Sequence, residues 1–201
     1  MAEVVVAESP WAGGTCPFQA GWKKLMMWVF IITDGLLFAG FLASYGYARV
    51  MSTAWPDLAG VFSLSFVAAM TFVLISSSAT MATAVWAAET GQSRLARRAL
   101  LATLAGGGLF LGMQAFEWSQ LIGEGAGLTS NPWGDPLFGA YFFVLTGFHG
   151  THVLTGLLVL AKTAVGFGRG RTPTENVEMA GLYWHFVDLV WVFIFTFFYL
   201  V

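Results

Sequence analysis

Residues 137–161 read LFGAYFFVLTGFHGTHVLTGLLVLA, a long run without a single Lys, Arg, Asp or Glu. About 20 apolar residues in helical form are needed to cross the hydrocarbon core of a bilayer. Inside that core the backbone must satisfy its own hydrogen bonds, and a helix does so within one segment. The run therefore predicts a transmembrane helix.

Four further apolar runs are long enough to cross a bilayer, at residues 25–48, 61–88, 99–122 and 179–201. The segments between them are short and hold most of the Pro, Gly and charged residues, which is typical of loops. We predict an all-α integral membrane bundle of five transmembrane helices within one domain, residues 23–201. Residues 1–22 are predicted to form a polar N-terminal tail, in which Cys16 is an incidental thiol.

The composition agrees with a membrane protein and excludes several other classes. Hydrophobic residues make up 57% of the chain, charged residues only 10%, and the mean hydropathy is +0.72. Soluble domains carry about 25% charged residues. The basic residues form no stripe that could neutralise a phosphate backbone, so no nucleic-acid partner is expected; membrane lipid is the expected surrounding.

The distribution of Lys and Arg predicts the orientation of the chain. With five spans, eight of the nine basic residues fall on the side of the N-terminus, and only Arg49 falls on the other. Because cytoplasmic segments carry the excess of positive charge, the N-terminus is predicted to be cytoplasmic and the C-terminus outside. Gly108 and Gly112, four residues apart in the third span, are predicted to mark a face of close helix packing.

Polar side chains inside the spans are the candidate functional residues, since an ionisable group in the membrane costs free energy and needs a partner. At about 1.5 Å per residue, Asp34 lies roughly 15 Å from Lys24, near the midplane. Its expected partner is a histidine of another helix, and His149, His152 and His185 all have a suitable depth. The complete predicted set is Asp34, Gln114, Glu117, His149, His152, His185 and Asp188.

Three interpretations of this set remain open from the residues alone. It is a structural network that holds the helices together, it serves proton movement or lipid headgroup binding, or it is a metal or haem site. Against the last, three histidines and one cysteine cannot supply the ligands of two haems and a copper. We therefore predict that the chain itself binds no haem, copper or other metal and has no catalytic residue.

Three segments carry a resemblance to a known family. Residues 142–156, FFVLTGFHGTHVLTG, resemble the signature of the subunit III family of cytochrome c and quinol oxidases. Residues 183–191, YWHFVDLVW, are similar to the last helix of that family, and residues 112–121, GMQAFEWSQL, to its Q-x-x-E-type segment. The match runs from about Trp22 to Val201 in the order and spacing of the family.

The resemblance implies a non-catalytic subunit of a respiratory haem-copper oxidase in the bacterial inner membrane. Such a subunit packs against the haem-bearing subunit I and other oxidase subunits, which hold the haem and copper, binds structural phospholipid, and supports sustained turnover and proton uptake. Asp34, within IITDGLLF, occupies the place of a carbodiimide-reactive glutamate of mitochondrial-type members. The five-helix form is similar to bacterial members, whereas mitochondrial ones have seven helices.

The identity of the complex is left open at this point. A cytochrome c oxidase is the preferred expectation, with a quinol oxidase subunit III or a nitric oxide reductase accessory protein as alternatives. A small proton-coupled transporter that uses Asp34 and Asp188 is a hypothesis of another class. The sequence gives it little support, because no Pro interrupts a span at its middle and no two-fold repeat is visible.

Overall fold

The computed structural model describes residues 21–170 and 172–200, and every regular element within these ranges is helical. Five long helices are long and apolar enough to cross a membrane, which confirms the predicted all-α fold with five spans. The orientation of the termini stays a prediction. The helices are α1 (Trp22–Met51), the short α2 (Leu58–Val61), α3 (Leu64–Glu89), α4 (Ser93–Gly123), α5 (Pro136–Gly168) and α6 (Thr174–Phe195). A π-helical segment, Thr196–Leu200, continues α6.

Most of these helices extend past the apolar cores from which they were predicted. The α4 helix begins at Ser93, six residues before the predicted span, because the Arg, Leu and Ala residues at 94–98 are all strong helix formers. The α1 helix already includes Trp22, which the sequence assigned to the tail; residues 1–20, with Cys16, lie outside the described residues. The α3 helix starts later than predicted, since residues 58–61 form the separate helix α2.

The last helix, α6, is the centre of the bundle and α1 lies at its edge. Twelve residues of α6 are buried, against only Phe38 and Tyr45 in α1. Because α1 and α6 run parallel, Lys23 meets Glu175 at 3.2 Å and Lys24 pairs with Glu178 at the basic end of the molecule. Tyr45 stacks on Phe198 near the opposite end, with ring centroids 3.9 Å apart.

Indole hydrogen bonds fix the register of α6 against the antiparallel α3. Trp184 Nε1 donates to Ser77 Oγ at 3.1 Å, and Trp191 Nε1 donates to Thr71 Oγ1 at 3.0 Å. All four side chains are buried. Two large apolar surfaces are thereby packed while the polar atom of each indole is satisfied.

Close packing of α4 depends on different glycines from those predicted. A Cβ on Gly107 would lie 2.7 Å from Trp184 Cζ2 and 2.8 Å from Leu157 Cδ2, so α5 and α6 both approach the backbone there. At Gly108 and Gly112 a Cβ would meet nothing within 4 Å among the described residues. The prediction that this pair marks a packing face within the chain is wrong, because the helix rotation turns both to the outside.

A turn at the end opposite the lysine pairs ties α1 to the start of α5. Asp135 caps α5 by accepting a hydrogen bond from the Leu137 backbone N–H at 2.9 Å, and it accepts another from Ser52 Oγ at 2.6 Å. The Asp135 backbone N–H donates to the Ala54 carbonyl at 2.9 Å. The hydrogen bond from Ser52, followed by that from Leu137, holds the pKa of the Asp135 carboxyl below its usual value.

Candidate functional site: polar groups buried among the helices

Asp34 of α1 faces His152 of α5, with 3.3 Å between Oδ2 and Nε2. The other ring nitrogen, Nδ1, lies 2.9 Å from the Phe148 carbonyl oxygen, so it must carry a proton to donate. The Asp34 carboxyl therefore faces the second ring nitrogen, Nε2. Both side chains are nearly buried, at 10% and 14% exposure. Asp34 Oδ2 makes no aligned hydrogen bond with a described residue, so the attraction is chiefly electrostatic.

His149, one turn before His152, lies in a different environment. Its ring is buried among Phe110, Trp191 and Phe38, with centroid distances of 5.9, 5.4 and 6.5 Å. Neither nitrogen has a hydrogen-bond partner among the described residues. An imidazole without a partner in such an apolar site is neutral, because a buried unpaired charge is too costly. His149 therefore packs as an aromatic ring and is not the partner of Asp34.

His185 and Asp188 of α6 both lie beside Ser78 of α3. Ser78 Oγ and His185 Nδ1 are 2.6 Å apart. Asp188 is buried next to the same serine, and its carboxyl oxygens have no aligned hydrogen-bond partner among the described residues. These two residues thus share a helix face, as their spacing predicts, and that face meets α3.

Glu117 and Gln114 form a third group in α4, nearer the end that carries the Asp135 turn. Glu117 Oε2 accepts from Gln114 Nε2 at 2.9 Å and from the Tyr199 hydroxyl at 3.0 Å. All three side chains are buried. This arrangement satisfies a buried carboxyl with neutral donors from α4 and from the π-helical segment that follows α6.

Three polar residues of the site were missed by sequence reasoning. Tyr199 falls in an apolar run rich in aromatic residues, where its hydroxyl gives no signal of a partner in α4. Tyr183 donates to the His152 carbonyl at 3.1 Å and so joins α6 to the Asp34 pair. Ser78 sits in a run of small residues, 76–79, where its hydroxyl gives no signal of a partner in α6.

The predicted residues are therefore distributed over separate groups: Asp34 with His152, Gln114 with Glu117, His185 and Asp188 around Ser78, and His149 alone. Within residues 21–170 and 172–200, no three His, Cys, Asp or Glu side chains come together as metal ligands would. The fold and the site define a class of protein, a polytopic helical membrane protein with polar groups buried between its helices.

Comparison with known proteins identifies the family. The family model for cytochrome c oxidase subunit III matches residues 2–201. Subunit 3 of the cytochrome bo(3) ubiquinol oxidase of Pseudomonas aeruginosa is 36% identical over 176 residues, which cover 86% of this chain and 82% of that protein. Cytochrome c oxidase subunit 3 of Thermostichus vulcanus is 35% identical over 89% of this chain and 87% of its own length. A probable cytochrome c oxidase subunit 3 of Nocardia farcinica is 33% identical, with 86% and 85% covered.

The chain belongs to the cytochrome c oxidase subunit III family. It is a multi-pass membrane subunit of a haem-copper oxidase of the respiratory chain, which confirms the resemblance carried by residues 112–121, 142–156 and 183–191. The transporter hypothesis is not favoured by this finding.

Proposed function

We propose that this chain packs on the haem-bearing catalytic subunit of a cytochrome c oxidase in a bacterial inner membrane and sustains its turnover and proton uptake while holding phospholipid. The haem and copper belong to the partner subunits, and the role of this chain is structural. Bacterial relatives and the excess of basic residues at one end support the location. The observation that carries the lipid part of the proposal is a pocket at the basic end of the molecule.

This pocket, of about 640 Å³, opens where α1 and α5 diverge above α6. Apolar side chains of all three helices, among them Met27, Val159 and Met179, form most of its wall. Lys23 and Lys162 stand at its mouth. Lys23 forms an ion pair with Glu175, whereas Lys162 forms no ion pair with a described residue. An apolar shaft with ammonium groups at the level of the headgroups suits an acyl chain with a phosphate above it.

The inner end of the pocket lies next to the buried pair of Asp34 and His152. Tyr183 lines the pocket and donates to the His152 carbonyl. An acyl chain seated there would exclude water from the approach to Asp34 and His152. Loss of the lipid would let water reach this pair, and we expect the consequence to be lower stability of the complex during turnover.

Lipid analysis of the purified complex tests this part. We expect the double variant Lys23→Gln, Lys162→Gln to lose an anionic phospholipid that native mass spectrometry finds on the wild-type complex. Arg97→Gln, which removes an exposed cation from the start of α4, is the matched control and should keep the lipid. Equal lipid content in the double variant and the control would refute the pocket as a lipid site.

Co-purification tests the assembly itself. A tagged chain extracted in mild detergent should bring down a larger haem-bearing subunit, with haem and copper found in that subunit after separation. Recovery of the chain free of haem from membranes whose other respiratory complexes stay intact would contradict the proposal. Stoichiometric metal in the isolated chain, lost in a His149→Phe variant, would contradict its structural role.

The name of the family suggests cytochrome c as the electron donor of the complex, and an oxidation assay tests this. The matching model and the relatives from T. vulcanus and N. farcinica bear the name cytochrome c oxidase, whereas the P. aeruginosa relative is named a ubiquinol oxidase. We expect the purified complex to oxidise reduced cytochrome c and not ubiquinol. Oxidation of ubiquinol alone would make it a quinol oxidase, and nitric oxide reduction would make the chain an accessory of a reductase.

A further inference from the structure

A second pocket, of about 560 Å³, opens at the end of the molecule that carries the Asp135 turn. Arg49 and Asp57 contribute charged groups to its wall, together with apolar side chains of α2 and of the start of α3. Phe62 and Tyr199 also line it, and both of these side chains are buried. This space, here called the Arg49 pocket, is therefore bounded toward the core by two aromatic rings.

The buried pair of Gln114 and Glu117 lies directly behind Tyr199. The Tyr199 hydroxyl donates to Glu117 Oε2 at 3.0 Å, and its ring packs against that of Phe62 with 4.5 Å between the centroids. One side chain thus contacts the Arg49 pocket on one side and the buried carboxyl on the other. Tyr199 is the barrier between them.

The buried pair has fewer hydrogen-bond donors than acceptors. Gln114 Nε2 and the Tyr199 hydroxyl both donate to the same atom, Glu117 Oε2. No donor is left for Gln114 Oε1, which is buried and has no partner among the described residues. A buried acceptor without a donor is costly. The site therefore fits a small molecule that donates hydrogen bonds, and water has this property.

The segment that carries Tyr199 has an unusual geometry. Thr196–Leu200 is π-helical, a form that is rare, occurs mostly as single turns and is frequent at functional sites. Because a π turn holds more residues than an α turn, a change to α-helical bonding would rotate Tyr199 about the axis of the helix. Its hydroxyl would then leave Glu117. A local rearrangement of one turn, without movement of the long helices, is sufficient to remove the barrier.

We propose that Tyr199 is a gate, and that the Gln114–Glu117 pair behind it is a binding site for water that enters from the Arg49 pocket. In the closed state, which the structure shows, the Tyr199 ring separates the pocket from the pair. When the π-helical segment turns, water passes the ring and donates to Gln114 Oε1. This gate lies at the end opposite the lipid pocket, and the inference goes beyond the proposed function without depending on it.

The accessibility of a cysteine behind the gate tests the proposal in the native membrane. Gln114→Cys is introduced in a Cys16→Ser background and treated with 2-aminoethyl methanethiosulfonate, a small polar reagent. The thiolate attacks the sulfur that bears the aminoethyl group, forms a disulfide with it and releases methanesulfinate, and the mass of the chain reports the rate. Tyr199→Phe keeps the ring but cannot donate to Glu117, so we expect labelling about tenfold faster than with Tyr199.

Tyr199→Ala, which removes the ring as well, should give still faster labelling at position 114. If Tyr199 only filled space, the rates with Tyr and Phe would be equal, and that result would overturn the gate. Thr103→Cys is the matched control, because Thr103 is a buried polar residue of the same helix that bonds to Thr80 of α3. Its labelling should stay slow in all three backgrounds, and an equal rise at positions 103 and 114 would also contradict the proposal.

Obstruction of the Arg49 pocket tests the route of entry. Leu64 lines the pocket, whereas Leu137, at the start of α5, is equally exposed at 51% and lies outside it. In the Tyr199→Phe background, Leu64→Trp should slow labelling at position 114 several-fold, and Leu137→Trp should leave the rate unchanged. Equal rates in these two variants would show that the reagent arrives by another route, which would overturn the Arg49 pocket as the entrance.

Discussion

The pairing of Asp34 with His152 can be measured by a double-mutant cycle on the assembled complex. The structure places Oδ2 and Nε2 at 3.3 Å with both side chains nearly buried. Breaking a buried pair costs about 3–5 kcal/mol when a charge is left behind. Asn at position 34 keeps the volume and can still hydrogen-bond, so Asp34→Asn should cost less, about 1–3 kcal/mol. We expect His152→Asn to cost a similar amount, since it removes the same contact from the other side.

The assay follows release of the chain from the complex as the mole fraction of SDS rises, and converts the midpoints to free energies. We expect the double variant to cost less than the sum of the single variants, with a coupling of about 1–2 kcal/mol. The control cycle joins Asp34→Asn with His185→Asn. Because His185 is engaged by Ser78 instead, this cycle should be additive within about 0.5 kcal/mol.

The same variants distinguish a structural role of the pair from a direct role in proton delivery. With Asp34→Asn, the haem spectrum and the initial rate of oxygen consumption should be largely retained, and the rate should decline faster over many turnovers. An additive Asp34/His152 cycle would show that the pair does not interact in the membrane. A collapse of the initial rate in a fully assembled complex would make Asp34 a participant in proton delivery and refute the interpretation that its role is structural.

Three further predictions concern packing, pH and orientation. Gly107→Ala should destabilise the chain by about 1–3 kcal/mol because its Cβ would meet the Trp184 ring, whereas Gly108→Ala, open on its side, should be neutral or stabilising; equal SDS midpoints for the two variants would contradict this. The pKa of Asp135 lies below its usual value, so its contribution to stability is full above the usual aspartate pKa, about 3.9, and is lost as the pH falls through the lowered value. That acid-dependent loss should vanish in Asp135→Asn, which thermal melts at pH 2–6 would show. A reporter fused after the C-terminus should be labelled from outside and one in the loop between α3 and α4 from the cytoplasm; the reverse pattern would overturn the orientation.

Several features of the site could be predicted because they depend on one helix at a time. The three-residue spacing of His185 and Asp188 places them on a common face whatever helix lies opposite. Gln114 and Glu117 follow the same rule, and their hydrogen bond is local. The candidate residues themselves stood out because polar groups in apolar spans are few and costly.

Other predictions failed or stayed open because they depend on how the helices rotate against one another. The small-residue spacing of Gly108 and Gly112 was sufficient to suggest a packing face, but packing uses Gly107 instead. A shift of one residue rotates a helix position by about 100°, so Gly107 faces the bundle while Gly108 faces outward. Tyr199 could not be assigned to Glu117 from sequence, since 82 residues separate them.

The sequence by itself determined that the chain crosses the membrane five times, which end carries the basic residues and which family it belongs to, because hydropathy, helix formation and motif order are properties of contiguous residues. Only the tertiary structure decided that His152, and not His149 or His185, faces Asp34, and that α6 lies at the centre while α1 stays at the edge. All five helices are apolar enough to lie in a bilayer, and their mean hydropathies of 1.5 to 2.0 do not say which helices are neighbours. Their arrangement is set by steric fit and by single hydrogen bonds between distant residues, such as Ser78 and His185 at a separation of 107 positions.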